Sequence, residues 1–142
     1  MESLTIIKNF GILYRTFLNY VSKSISTADV SFSDSIFLIN IGESEGISQE
    51  EIAGSLAIDK AAIARSVKAM EKKGYVTTKK SDNDKRSKEL YLTEAGKELF
   101  RYMLNLQLEW QRKVLGGLNA DEIDSFSKII NDISERAKKF KK

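Results

Sequence analysis

The stretch that decides the fold is residues 58–76, which read IDKAAIARSVKAMEKKGYV. Ile63, Val67 and Met70 recur at the spacing of an amphipathic helix, so one face is predicted to be buried. Gly74 follows the last apolar position, where a left-handed residue commonly ends a helix. The opposite face then carries small and cationic side chains together: Lys60, Ala61, Ala62, Ala64, Arg65 and Lys68.

A shorter helix is predicted immediately before this one. Ser48 and Glu51 have the spacing of a capping box, which marks a helix start. Only Ile58 and Asp59 are left to connect the two helices, and Asp59 is expected to cap the second. So short a connection holds one helix across the other, which is the helix-turn-helix arrangement.

A β-hairpin is predicted on the other side. Residues 75–79 and 88–92 are rich in β-branched and aromatic side chains and are separated by a polar loop. The arms are expected to pack on the helices, while the charged tip projects as a wing. Asp84 at the tip either pairs with the guanidinium of Arg86 or stabilises the turn through its own backbone, and both readings stay open.

The flanking segments are predicted to be helical. Residues 4–25 show helical apolar spacing. Ser31, with Asp34 three residues later, is expected to cap a helix that is apolar nearly all round, which suits a central position in the core. Thr93 and Asn119 are expected to cap two further helices. The fold class is therefore mainly α with a small β-hairpin, a winged helix-turn-helix flanked by N- and C-terminal helices.

These elements together predict a nucleic-acid interface. An α-helix fits the major groove, where small side chains allow close approach and Arg pairs with guanine. The six residues on the outward face of the second helix are expected to contact bases there. Arg86 is expected in the adjacent minor groove, whose negative potential attracts guanidinium. The wing residues are Asp84, Lys85 and Arg86, and the expected phosphate contacts are Ser48, Thr77, Thr78, Lys79 and Lys88.

Charge along the chain is uneven. The net charge of the 142 residues is +3. Residues 60–88 contain ten Lys or Arg against three acidic residues, a net charge of +7, which leaves −4 for the remainder. A basic centre within an acidic surround is the electrostatic pattern expected for binding a polyanion.

The composition argues against several other classes of protein. The chain has no cysteine and no histidine, which removes thiolate chemistry and the commonest general base and metal ligand. The run Asp82-Asn83-Asp84 begins like a calcium loop, but Ser87 and Thr93 stand where glycine and glutamate are required. No signal peptide or membrane-spanning run is visible. We expect a cytoplasmic protein that is not an enzyme and has no metal or cofactor.

The same residues resemble the MarR family of bacterial winged helix-turn-helix transcription regulators. The resemblance covers essentially the whole chain, although Asn83 stands where the family often has proline or an acidic residue. It implies a homodimer that binds a pseudo-palindromic double-stranded DNA site, most simply as a repressor that occludes RNA polymerase. The residues that carry it are the run from Ile52 to Val76 and the wing Asp84-Lys85-Arg86-Ser87 leading to Leu92-Thr93-Glu94-Ala95-Gly96.

The resemblance also implies a division of the chain. Residues 1–30 and 95–142 would form the helical dimerisation region, and residues 31–94 the winged helix-turn-helix DNA-binding region. Many members of the family bind small aromatic effectors between these regions. The residues that would line such a pocket here, or else are packed core, are Phe10, Tyr14, Phe37, Ile41, Phe100 and Met103.

Two alternative functions fit the same pattern. The chain would be a winged-helix module that docks an acidic protein, or a small-ligand-binding protein without DNA readout. The dependence of duplex binding on salt and on base sequence separates both alternatives from a DNA-binding regulator.

Overall fold

The structure is a computed structural model, and it describes residues 3–82 and 87–140. The chain divides into two compact units, Met1–Leu108 and Glu109–Lys142. The prediction of a mainly α fold with one hairpin is confirmed. In chain order the elements are α1 Thr5–Ser24, α2 Phe32–Glu43, α3 Gln49–Leu56, α4 Lys60–Lys72, β1 Val76–Lys80, β2 Lys88–Leu92, α5 Glu94–Val114 and α6 Ala120–Lys138.

Side-chain caps fix where four of these helices begin. A cap oxygen satisfies a backbone N–H that has no partner within the helix, which typically contributes about 1 kcal/mol. At α3 and α6 the bond is reciprocal, and the acidic side chain three residues on accepts from the cap backbone. All four caps were expected from the sequence, and they are Ser31, Ser48, Thr93 and Asn119.

The turn between α3 and α4 contains a left-handed residue. Ala57 has φ 54°, and the following Ile58 N–H donates to the Ala53 carbonyl at 3.0 Å. Asp59 occupies the N-cap position of α4, but its side chain makes no capping hydrogen bond, so the cap predicted there is wrong. The start of α4 is thus set by the turn before it rather than by a side-chain cap.

The end of α4 leads directly into the hairpin. Gly74 has φ 83°, and its N–H donates to the Glu71 carbonyl, while the Tyr75 N–H donates to the Met70 carbonyl. Both bonds are 3.0 Å long and form the Schellman pattern that a left-handed glycine allows. β1 begins one residue later, so the geometry of this turn sets the direction of the hairpin.

The hairpin is antiparallel, with Val76 opposite Leu92 and Lys80 opposite Lys88. Its core-facing residues are Val76, Leu90 and Leu92, as expected, and all three are buried. The first arm begins at Val76 rather than at the expected Tyr75, because Tyr75 belongs to the turn that ends α4.

A third segment pairs with the outer edge of β2. The Gly46 N–H donates to the Leu90 carbonyl at 2.8 Å, and the Leu90 N–H donates to the Ile47 carbonyl at 2.9 Å. The Leu92 N–H donates to a carboxylate oxygen of Glu45 at 2.8 Å. The segment that opens α3 is therefore tied to the wing.

The core of the first unit lies under α4. Ile63, Val67 and Met70 are buried, as their spacing predicted. The central helix α2 buries residues on most of its surface, which agrees with its apolar sequence. The buried hydrophobic residues of this unit are Val21, Ile25, Val30, Phe37, Leu38, Ile39, Ile41, Ile52, Ala53, Ile63, Val67, Met70, Val76, Leu90, Leu92 and Met103.

The first turn of α5 packs against the end of α4. The Thr93 hydroxyl donates to the Gly74 carbonyl at 2.6 Å and accepts from the Gly96 N–H at 3.0 Å. Gly96 is buried, and a Cβ at this position would lie 2.1 Å from the backbone oxygen of Tyr75. Only glycine therefore permits this approach.

Gly96→Ala should destabilise the protein by roughly 1–3 kcal/mol, because backbone atoms must move to admit the new methyl group. The measurement is the free energy of unfolding in urea. Gly54→Ala is the matched control, since no atom outside its own helix lies within 4 Å of its Cβ position, and it should be stabilising by about 0.5–1 kcal/mol. Equal stability of the two variants would contradict the close contact at Gly96.

Ala57→Gly should stabilise the protein by about 1 kcal/mol, because glycine adopts a left-handed conformation without the steric cost that a Cβ brings. Thermal unfolding measures the change. Ala69→Gly makes the same substitution inside the right-handed helix α4. It should instead destabilise the protein by about 1 kcal/mol. A loss of stability in both variants would show that Ala57 is not strained.

Candidate nucleic-acid interface

The outward face of α4 has the residues that the sequence predicted. Lys60, Ala61, Arg65 and Lys68 are exposed, and the two remaining alanines of the predicted face are half-buried. The face thus combines small side chains near the helix start with cations around them. A helix of this kind can approach a surface closely while offering hydrogen-bond donors.

The hairpin adds a second group of polar and cationic side chains. Thr77, Lys79 and Lys88 are exposed, and Thr78 is half-buried. The Thr78 hydroxyl donates to the Glu71 carboxylate at 3.3 Å, which ties β1 to α4. The two groups therefore belong to one structural assembly in which helix and hairpin are joined by the α4 turn and by this bond.

Cations of this surface are not neutralised by ion pairs among the residues that the structure describes. The ion pairs found in residues 3–82 and 87–140 lie within α5 and α6 and join Glu94 to Lys97, Glu109 to Lys113, and Glu135 to Lys138. Residues 60–88 carry a net charge of +7. Free cations on one face give the positive potential that attracts a polyanion.

The hydroxyl of Ser48 stands apart from the other predicted phosphate contacts. Ser48 is only 8% exposed, and its hydroxyl oxygen accepts a hydrogen bond from the Glu51 N–H at 3.1 Å. Its backbone N–H donates to the Glu51 carboxylate. The residue is therefore already engaged as the cap of α3.

The predicted wing-tip contacts, Asp84, Lys85 and Arg86, lie outside the described residues. At the base of the wing, Tyr91 donates to the Glu89 carboxylate at 3.1 Å. This hydrogen bond to Glu89 is the main reason why the pKa of Tyr91 is raised above its ordinary value.

The six residues predicted to line an effector pocket differ in their exposure. Phe37, Ile41 and Met103 are buried in the core, and the Phe100 ring lies against Gly42, where a Cβ would clash with it. The other two, Phe10 and Tyr14, are exposed on α1.

Two surface hollows occur elsewhere in the described part of the chain. One, of about 270 Å³, lies where α1 leads into α2, and the other, of about 440 Å³, lies at the start of α6. The sequence pattern does not indicate the hollow between α1 and α2, because most of its lining comes from an irregular connection. Their linings are Ser22, Ile25, Ser26, Ala28, Val30, Ser31 and Phe32, and Leu118, Asp121, Glu122, Ser125, Phe126 and Ile129.

The described residues contain no group of three or more metal-ligating side chains placed to hold an ion. Among the same residues, none of the helices combines the length and the apolar character that crossing a membrane requires.

Comparison with known proteins identifies the family. The MarR family model matches residues 37–88, which run from α2 to the first residue of β2. The HTH-type transcriptional regulator BilQ of Clostridium symbiosum (strain WAL-14163) is 31% identical over 111 residues, 78% of this chain and 77% of BilQ. The chain belongs to the MarR family. The family predicted from the sequence is thus confirmed.

Solved structures of MarR-family proteins share the fold. A MarR transcriptional regulator from Methanosarcina mazei Go1 is 27% identical, has a TM-score of 0.83, and matches over 96% of this chain and 99% of its own. A putative MarR family regulator from Listeria monocytogenes, crystallised with 26mer DNA, is 24% identical, with a TM-score of 0.89 over 98% of this chain and 91% of its own. The predicted winged helix-turn-helix is confirmed.

Two exposed cations beside the predicted site residues were not named as site residues from the sequence. Lys72 is exposed at the end of α4 and Lys80 at the end of β1. Both lie in the matched range, next to residues that were predicted. Alternation along β1 gives no signal for Lys80, since it shares the inward side of the strand with Val76 and Thr78 and is exposed at the strand end.

Proposed function

We propose that this MarR-family protein regulates transcription by binding double-stranded DNA through α4 and the hairpin. The observation that carries the proposal is the exposed face of α4, where alanines lie beside cations that form no ion pair among the described residues, next to a cationic hairpin. Small residues allow a helix to enter the major groove, and cations replace the counterions of the phosphates. Regulation then follows most simply from occlusion of RNA polymerase, so that the protein acts as a repressor.

Base recognition is assigned to α4. Arg65 carries a planar guanidinium that can pair with guanine O6 and N7, and Lys68 lies nearly one turn further along the helix. The edge formed by residues 60–64 sits at the helix start, the part of a recognition helix that usually contacts bases.

Phosphate contacts are assigned to the hairpin. Thr77, Lys79 and Lys88 are exposed on its two strands. Ser48 is left out, because it is buried and caps α3. Arg86 is proposed for the minor groove because of its residue type and its position in the sequence between the two strands.

Homodimerisation is part of the same proposal. The N-terminal half of α1 and the residue before it expose large apolar side chains, including Leu4 at 83% and Ile7 at 65% exposure. In the second unit, α6 exposes Ile129 at 57% and has no buried residue. Exposed apolar side chains of this kind on helices of 20 and 19 residues are typical of surfaces that associate with another chain. A two-fold dimer would present two copies of α4 to a pseudo-palindromic site.

The chain is proposed to consist of the two regions that the resemblance implied. Residues 1–30 and 95–142 serve dimerisation, and residues 31–94 serve DNA binding. A small aromatic effector would act by changing the spacing of the two recognition helices. Because Phe37, Ile41 and Met103 are packed in the core, such a ligand would displace core side chains or bind at the exposed Phe10 and Tyr14.

Arg65→Ala and Lys79→Ala should have different effects on DNA binding. Loss of a base contact should remove discrimination at one base pair, costing roughly 1–3 kcal/mol on the preferred duplex alone. Loss of a phosphate contact should weaken all sequences alike and reduce the salt slope by about one. The test uses a consensus duplex selected from random duplexes with the wild-type protein, titrated at several salt concentrations. Identical losses on consensus and random DNA in both variants would contradict these roles.

Ile7→Asp and Ile129→Asp should each shift the protein towards monomer, because a carboxylate would have to be buried in an apolar interface. Analytical ultracentrifugation across a range of concentrations measures the dimer dissociation constant. Asn19→Asp is the control, since it adds a carboxylate at an exposed polar position of α1. A wild-type protein that sediments as a monomer at every concentration would rule out the proposed dimer.

A further inference from the structure

The residues Lys73, Gly74 and Tyr75 form a corner at which four parts of the first unit meet. α4 ends there and β1 begins there. Contacts to the corner also come from the connection between α1 and α2 and from the start of α5. We name these three residues the α4 corner.

Asp29 holds the α4 corner from the side of α1. It lies in the connection between α1 and α2, and its carboxylate accepts a hydrogen bond from the Tyr75 hydroxyl at 2.9 Å. Its backbone carbonyl accepts a hydrogen bond from the Lys73 ammonium. One residue therefore binds both ends of the corner, 44 and 46 positions away in sequence.

Thr93 holds the same corner from the side of α5. Its hydroxyl donates to the Gly74 carbonyl, and its N–H donates to the Tyr75 carbonyl at 3.0 Å. The corner is thus held by bonds from the side chains of Lys73 and Tyr75 to Asp29 and by bonds from Thr93 to its backbone. A shift of the α1–α2 connection would have to be accommodated by the end of α4 or break these bonds.

The Tyr75 hydroxyl is a dependable donor at neutral pH. The hydrogen bond to Asp29 is the largest cause that raises the pKa of Tyr75 above its ordinary value, followed by burial. The phenol therefore stays protonated, and Tyr75 itself is half-buried. Lys73 is in a different situation from the free cations of α4, because its ammonium is used within the chain.

We propose that Asp29 is a positioning residue for DNA recognition, which sets the direction of α4 and of the wing relative to α1 by binding Lys73 and Tyr75. The inference rests on the proposed function, and it adds a specific path by which α1 affects the recognition helix. Asp29 touches no DNA in this proposal. Asp29 affects the orientation of α4. Its loss should therefore change discrimination between DNA sequences more than it changes overall affinity for DNA.

Tyr75→Phe is the sharpest test, because it removes one hydroxyl and no charge. A lost hydrogen bond of ordinary strength should lower the ratio of consensus to random duplex affinity roughly three- to tenfold. The salt slope should stay unchanged, since no phosphate contact is lost. Asp29→Ala should lower the ratio similarly, and the double variant should be no worse than either single one.

Two further variants separate positioning from general structural damage. Asp29→Asn keeps an acceptor oxygen for Tyr75 and should restore most of the ratio that Asp29→Ala loses. Tyr102→Phe is the matched control, because its hydroxyl donates to the Ser24 carbonyl at 2.9 Å without touching the α4 corner. It should leave the ratio as in the wild type.

Two results overturn the inference while leaving the proposed function intact. One is a Tyr75→Phe protein that discriminates as the wild type does, and the other is an equal loss on consensus and random duplexes. Wild-type protein that binds neither duplex at low salt overturns the proposed function itself, and the positioning role with it. Thermal unfolding of each variant shows that the folded protein is the species measured.

Discussion

Burial of one side of α4 is the constraint that fixes the orientation of this helix and of its cationic face. Ile63, Val67 and Met70 are almost completely buried, and each contributes roughly 1.5–3 kcal/mol by leaving water. Turning the helix about its axis would expose these side chains and would bury Arg65 or Lys68 without partners, which costs several kcal/mol. The direction of the cationic face is therefore a consequence of the core, and no contact to DNA is needed to set it.

Local patterns predicted most of the fold, because the interactions behind them are made within a few residues. The caps Ser48, Thr93 and Asn119 each accept a bond from a residue three positions away. The left-handed Gly74 closes a helix whose last turn precedes it directly. Periodicity likewise predicted which side of α4 is exposed, and with it the main part of the candidate site.

Contacts between distant residues were not predictable from such patterns. Glu45 and Leu92 are 47 positions apart, and Asp29 and Tyr75 are 46 positions apart. Neither pair is marked by spacing or composition, because the topology brings them together. The strand-like pairing of residues 46–48 was missed since three residues are too few to show alternation. The cap predicted at Asp59 was wrong for a different reason. A residue type that favours capping does not determine whether its side-chain rotamer reaches the backbone N–H groups.

One group of the candidate site was given two uses on the basis of the sequence. The Ser48 hydroxyl was assigned both to the start of α3 and to a phosphate, and the fold uses it for the helix. The apolar residues of α1 were predicted correctly as one face, yet a sequence pattern does not say whether the same chain or another copy covers that face. In the first unit the N-terminal half of this helix stays exposed.

The carboxylate of Glu45 has a consequence for association of unrelated chains. An uncovered strand edge with free N–H groups recruits other strands and starts aggregation. On β2 the N–H groups of Leu90 and Leu92 are already occupied, one by the Ile47 carbonyl and one by Glu45. The Glu45 carboxylate accepts the next N–H of β2 beyond the backbone pairing of residues 46–47. It also places a negative charge at this edge of the sheet. At Leu90 and Leu92 that edge therefore has no free N–H donor with which another strand could pair.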